Sequence, residues 1–329
     1  MKRFQEKIVG VFLILGALLF MLPLTARAGE NVPAVQAKAE AGDAEAQFNI
    51  GEAYYNGQGV PQNYGKAAHW YRLAANQGYV PAQFILGVCY EYGQGVPQNY
   101  GKAAHWYRLA ANQGYRLAQG NLGVCYEYGH GVSQNYEKAA HWYQLAANQG
   151  DAHAQFNLGT LYTNGHGVSQ DYGKAAHWYR LAANQGYPLA QGNLGVLYYN
   201  GQGVPQDYEK AAHWYRLAAN QGEAQEQYNL GLLYTVGQGV PQNYEKAAHW
   251  YRLAANQGIA NAQYNLGVIY TVGQGVPQNY VKAYKWLVLA KSAGIATAAK
   301  GIHLLIPLMS HEQISEGQRL AREWSFAKK

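Results

Sequence analysis

Charge is scarce in this chain: Asp, Glu, Lys and Arg make up 13% of its 329 residues. That scarcity excludes the dense basic field on which nucleic-acid binding leans. The formal balance is +6, but Lys2, Arg3, Lys7 and Arg27, set against Glu6, place half of it in the first 28 residues. Long apolar runs are scarcer still. One exists, from Ile8 to Leu24, flanked by the early basic residues and by Ala26-Arg27-Ala28. A charged start, an apolar middle and a small-x-small end predict a secretory signal peptide over residues 1–28, cleaved before Gly29. The expected location is therefore the periplasm or the exterior. Left uncleaved, the run would act as a membrane anchor, although a span needs roughly 20 residues. No later segment is apolar enough to cross a bilayer.

Repetition is what the chain has in abundance. His69-Trp70, His105-Trp106, His141-Trp142, His177-Trp178, His213-Trp214 and His249-Trp250 recur every 36 residues, and Lys285-Trp286 closes the series. A fixed period of this size is the signature of a stack of supersecondary units. In the unit 44–79, Phe48, Ile50, Ala53 and Tyr54 have the spacing of an amphipathic helix over 44–56. Asp43 is placed to cap its start, and Gly57 to end it in the left-handed conformation. After a Gly-Gln-Gly-Val-Pro-Gln loop, Asn63 caps a second helix that runs to Gln77; Asp171 and Asp207 replace Asn there without losing the capping oxygen. The predicted fold is all-α, a right-handed αα-hairpin solenoid of seven repeats over 44–295. A half-repeat cap at 29–43 and capping helices at 296–329 close its ends. In the C-terminal cap, Ala296–Leu305 reads as a helix broken by Pro307. Ser310 and Gln313 form a capping box for a helix over about 311–325.

Two features inside the repeat carry packing information. Gly51, Gly87, Gly123, Gly159, Gly195, Gly231 and Gly267 sit mid-helix, where Gly costs roughly 1 kcal/mol relative to Ala. Seven such glycines imply a close approach by another helix. The only two cysteines, Cys89 and Cys125, hold equivalent positions of adjacent units, where other units have Ala53, Leu161, Leu197, Leu233 and Ile269. Equivalent helices pack roughly 8–10 Å apart, beyond the Cα separation of about 7 Å that a disulfide tolerates. The cysteines therefore read as small buried hydrophobes.

The pattern L-G-x-x-Y-x-x-G-x-G-V-x-x-[ND]-Y-x-K-A-x-x-W-Y-x-x-A-A-x-x-G, as in Leu86-Gly87 through Gly114, resembles the Sel-one-like repeat family. This is a branch of the tetratricopeptide-like superfamily. The resemblance implies an adaptor, and exported bacterial members imply roles in envelope assemblies or host contact. Repeat seven departs from the pattern, with Lys285, Leu287 and Val288 for His, Tyr and Arg, which is expected to alter its surface rather than its fold.

Comparing the seven copies separates positions the stack demands from positions free to vary. In the first helix, positions 45, 48, 52, 55 and 56 vary, at spacings that share one face. The superfamily resemblance places that face in a concave groove. Candidate groove residues are Phe48, Tyr55, Phe84, Glu91, Tyr92, Glu127, Tyr128, Phe156 and Tyr199. Of the 30 tyrosines, 20 hold the repeated positions of Tyr54, Tyr64 and Tyr71; six others, including Tyr228 and Tyr264, fall on the varying face. Tyrosine suits an interface because it offers a large area and one polar tip on few rotors. The expected partner is a protein or extended peptide. The alternative is an envelope glycan such as peptidoglycan, favoured by many rings and little charge.

Catalysis finds little support. The six periodic histidines climb in steps of roughly 10 Å and cannot converge on one ion at about 2.1 Å. They read as a solvated helix face. His130 and His166 stand where the other repeats have Gln. A β-lactamase-like reading needs Ser-x-x-Lys; Ser325 and Lys328 have the spacing, but no SDN or KTG element accompanies them. The Gly-x-Gly loops follow helices and lack a P-loop lysine. No enzyme, cofactor or metal site is expected.

Overall fold

The computed structural model describes residues 32–327, so the signal segment of residues 1–28 lies outside the described residues. Among those described there are seventeen α-helices and no strand. The chain divides into two compact units, the first ending at Gln134 and the second beginning at Asn135. In the first, α1 (Val32–Glu40) precedes three first helices, α2 (Ala44–Asn56), α4 (Val80–Tyr92) and α6 (Arg116–Tyr128). Their hairpin partners α3 (Tyr64–Asn76) and α5 (Tyr100–Asn112) lie between them. The second unit begins with α7 (Tyr136–Asn148) and continues through four hairpins: α8 (Ala152–Asn164) with α9 (Tyr172–Asn184), and α10 (Pro188–Asn200) with α11 (Tyr208–Asn220). Then come α12 (Ala224–Val236) with α13 (Tyr244–Asn256), and α14 (Ala260–Val272) with α15 (Tyr280–Ser292). It closes with α16 (Ala296–Leu305), a 3-10 turn at Ile306–Leu308 and α17 (His311–Ala327). The chain is thus an all-helical repeat solenoid of consecutive paired helices.

Local chemistry sets the helix limits. The Asn63 carboxamide accepts a hydrogen bond from the Lys66 backbone at 2.9 Å, and the Asp207 carboxylate does the same for Lys210. Gly57 ends α2 at φ 70°, left-handed backbone that glycine adopts without steric cost. In the cap, Ser310 and Gln313 exchange hydrogen bonds of 3.0 and 3.2 Å, the capping box the sequence predicts. The last helix runs to Ala327, two residues past expectation.

The mid-helix glycines are explained by rings rather than by a neighbouring backbone. A Cβ at Gly87 would stand 2.6 Å from the Tyr107 ring, and one at Gly159 2.7 Å from the Tyr179 ring. The first helices at Gly51, Gly87, Gly159, Gly195 and Gly231 thus take a buried tyrosine of the hairpin partner against a bare stretch of backbone. Between repeats, the second glycine of the loop makes the contact: any side chain at Gly95 would strike the Tyr64 carbonyl of the preceding unit. Buried glutamines add a second tie. The Gln83 amide donates to the Ala75 carbonyl at 3.2 Å and its own carbonyl accepts from Gln113 at 2.9 Å. The same pair recurs as Gln257 to Gln227. In repeat seven Ala293 stands where Gln is needed, and the Gln263 carbonyl, fully buried, has no donor.

Repeat seven also corrects the expectation that its departures touch only the surface. Leu287 takes the tyrosine slot against Gly267, and Trp286 is 5% exposed where its counterparts in the other repeats are half-buried. The cause is α17, whose Trp324 ring lies 6.3 Å from Trp286 and whose Gly317 rests on Tyr284. Cys89 and Cys125 are buried free thiols, as expected, and burial pushes both up to about 12.

Candidate partner-binding face

The varying face of the first helices splits in two. Positions 48, 52 and 55 turn toward the hairpin partner, while position 56 turns toward solvent in six of the seven repeats. Phe48 and Phe84 are therefore not surface anchors. Both are buried, Phe84 with its ring centroid 5.8 Å from Tyr107 and 5.2 Å from Tyr115, and Phe48 in the same relation to Tyr71 and Tyr79. Phe156 repeats the arrangement, half-buried between Tyr179 and Tyr187. These rings pack on the last residue of the unit, a tyrosine that precedes the next first helix and stands where a capping side chain would.

Tyr55 and Tyr199 are half-buried against the tyrosines that open their partner helices, at 5.0 and 5.3 Å; the Tyr55 hydroxyl also donates to Gln94 at 2.8 Å. Glu127 is half-buried, and Tyr128 is 49% exposed. Glu91 is no free surface acid: it accepts a short hydrogen bond from the Tyr107 hydroxyl, and burial holds its carboxyl above the usual carboxylate range. Glu52 has the same relation to Tyr71 at 2.6 Å, with burial again the main cause of its raised pKa. Repeats four and six use Thr163 and Thr235 for the same hydroxyl, at 3.1 and 2.9 Å.

Within the first unit the structure gathers Glu91, Tyr92 and Tyr128 of the predicted set at one corner. It adds two residues that the sequence reading set aside. The His130 ring lies 5.2 Å from Tyr100 and 5.8 Å from Tyr128, and His130 acts on Glu91 electrostatically. Glu91, Tyr100, Asn121 and His130 line a small cavity there.

Two further features of the second unit went unseen. Glu226 stands where the other repeats have a buried Ala, and its carboxylate lies against Gly192, so that a Cβ at Gly192 would collide with it. Burial pushes Glu226 up to about 7, and Glu223 nearby adds to the shift. The second feature is an exposed apolar stripe. Val236, Val272 and Leu308 are 50, 54 and 56% exposed and stand 36 residues apart; Val268 and Leu304 form a parallel pair. That period was the signal available for finding it.

Ser325 donates its hydroxyl to the Ala321 carbonyl at 3.0 Å, a contact within its own helix, and Lys328 lies outside the described residues. His69 is exposed with its ring edge-on to Trp70 at 5.6 Å, a pair repeated along the second helices. Among the described residues no group of three or more His, Cys, Asp or Glu could hold a metal, and no helix is long and apolar enough to cross a membrane.

A model of the Sel1 repeat matches residues 44–79, 80–115, 116–151, 152–187, 188–223, 227–259 and 260–295, skipping the stretch that contains Glu226. Among solved structures, a protective antigen of uropathogenic Escherichia coli strains displaying an SLR fold is similar. It is 33% identical, at a TM-score of 0.70, covering 92% of this chain and 73% of that one. A Sel1 repeat protein from Oxalobacter formigenes is 38% identical at a TM-score of 0.67, covering 83% and 79%. No curated protein matches. A solenoid of this kind is typically a non-catalytic scaffold.

Proposed function

Because the chain belongs to the Sel1 repeat family, a scaffold suited to protein–protein interaction, we propose that it is an exported adaptor that grips a protein or extended peptide along the solvent side of its first helices. The carrying observation is a coincidence of exposure and diversity. The position occupied by Asn56, Tyr92, Tyr128, Asn164, Asn200, Val236 and Val272 is the last residue of each first helix; it differs between copies and is exposed in six of the seven. A stack gains nothing from that diversity, whereas a partner can be read by it. The export signal of residues 1–28 supports a site of action in the envelope or at host contact. Tyr128 and the exposed Tyr64 and Tyr100 leave peptidoglycan as the competing ligand.

Photo-crosslinking amino acids at Asn56, Asn164 and Val272, in intact exporting cells, test this against controls at His69 and His177. Protein adducts formed from the first-helix sites and absent from the histidine sites are expected. Equal yields from both sets would refute the assignment. Cosedimentation with purified sacculi, without protein adducts, would transfer the function to glycan binding.

A further inference from the structure

The corner built by Glu91, Tyr92, Tyr100, Asn121, Tyr128 and His130 differs in chemistry from the corresponding corner of repeat one. Where repeat one has Tyr55 bonded to Gln94, repeat two has a carboxylate beside an imidazole. That carboxylate is largely withdrawn from water, and the hydrogen bonds it accepts from Tyr107 and Tyr92 are neutral. Among the described residues no lysine or arginine pairs with it; the lysine of its own hairpin, Lys102, lies over the Tyr90 ring at 5.2 Å. The basic group that acts on Glu91 is the His130 imidazole, which does not outweigh the burial; an ammonium brought to the carboxylate would recover more of that cost. The cavity beside Glu91 has room for about one water-sized group, which an ammonium head matches and a planar guanidinium does not. Its lining offers what an ammonium requires. The Glu91 carboxylate and the Asn121 side-chain carbonyl can accept its protons, and the Tyr100 ring presents a π surface to the charge. Tyr100, 41% exposed, lines the cavity, and Tyr128, 49% exposed, lies against His130 beside it, where the alkyl stem of a lysine would lie.

The geometry points to a lysine-binding subsite: the corner of Glu91, Tyr100, Asn121, Tyr128 and His130 receives the ammonium group of a lysine side chain on the protein partner. This rests on the adaptor reading above and names the chemistry of one contact within it. The formal charge is positive, +6 with residues 1–28 and +3 without them, so any affinity for a polycation must be local.

The test uses the full chain and a dye-labelled octalysine peptide at low salt, followed by fluorescence anisotropy. Binding is expected to weaken at least tenfold when the lysines are acetylated, and severalfold when they are replaced by arginine. Glu91→Gln, which keeps an acceptor for Tyr107 but no charge, should weaken it about tenfold. Tyr128→Ala, at an exposed site, should weaken it about threefold with the thermal midpoint measured alongside, and the distant control Glu45→Gln should leave it unchanged. Equal binding by the parent and by both site variants, or tighter binding of octa-arginine, would overturn the subsite. If octalysine does not bind while crosslinked protein partners persist at Asn56 and Val272, the subsite falls and the adaptor reading stands. If the crosslinks fail as well, both fall.

Discussion

Repeats two and five fill the same space by different means. In repeat two Phe84 spans the gap to the next unit, packed between Tyr107 and Tyr115. In repeat five the equivalent residue is Gly192, the following tyrosine is replaced by Glu223, and the carboxylate of Glu226 folds into the emptied space. One joint is dry and aromatic, and the other holds an acid with a raised pKa. Variation between copies is thus not always freedom. Position 48 changes together with the residue 31 places later, Phe with Tyr and Gly with an acid, and where the pair is Phe and Tyr the two rings meet inside the stack.

The largest expected effect comes from breaking what both joints share. Gly159→Leu would drive a side chain into the Tyr179 ring and should lower unfolding stability by about 3 kcal/mol or more, read by denaturant titration of the second unit. Phe84→Ala should follow at about 3 kcal/mol, whereas Gly192→Ala should cost less, since the Glu226 side chain can swing aside. Equal losses from these two would erase the contrast between the joints.

A pH titration sharpens the comparison next. The folded pKa of Glu226, about 7, lies above the unfolded value of about 4.3. The folded state therefore holds the proton more tightly. Stability is fullest below about pH 4.3 and declines as pH rises toward 7, with Glu223, also raised by burial, acting in the same direction. Tyr215 and Tyr228, neighbouring tyrosines whose pKa values burial raises further, stay protonated across that window. Glu226→Ala, the residue of the other repeats, should raise the thermal midpoint at pH 8 and change it little at pH 4.5. In free energy this is about 1–2 kcal/mol after allowance for partial solvent screening. The triple exchange Gly192→Phe, Glu223→Tyr, Glu226→Ala should rebuild the aromatic joint and flatten the profile. The smallest effect is a gain: Ala293→Gln should supply the donor that the Gln263 carbonyl lacks, adding about 1 kcal/mol.

The repeats and helix limits are legible in the chain because caps and glycines punctuate them at fixed intervals. Asn63, Gly57 and Ser310 act in the structure as their residue types predict. The face carried by the first helices is legible only in part. Phe48 and Phe84 vary between copies and so resemble surface residues, yet their changes are matched by partners 31 residues away, and a test for paired change would have assigned them to the interior. Glu91 looks like an exposed acid until Tyr107 is seen to reach it, a contact between helices that no spacing rule supplies. Trp286 is buried by α17, an element outside the repeat, so comparison among repeats could not reveal it.

The seat of Gly95 on the Tyr64 carbonyl constrains how a molecule of this kind can change its length. An insertion of a few residues in a second helix would lift the next loop off the carbonyl on which it rests, while duplication of a complete 36-residue segment would renew the fit at both seams. Growth and shrinkage by whole modules is the change such a chain tolerates, and each added module brings one more blank position, the counterpart of Asn56, on which a new specificity can be written.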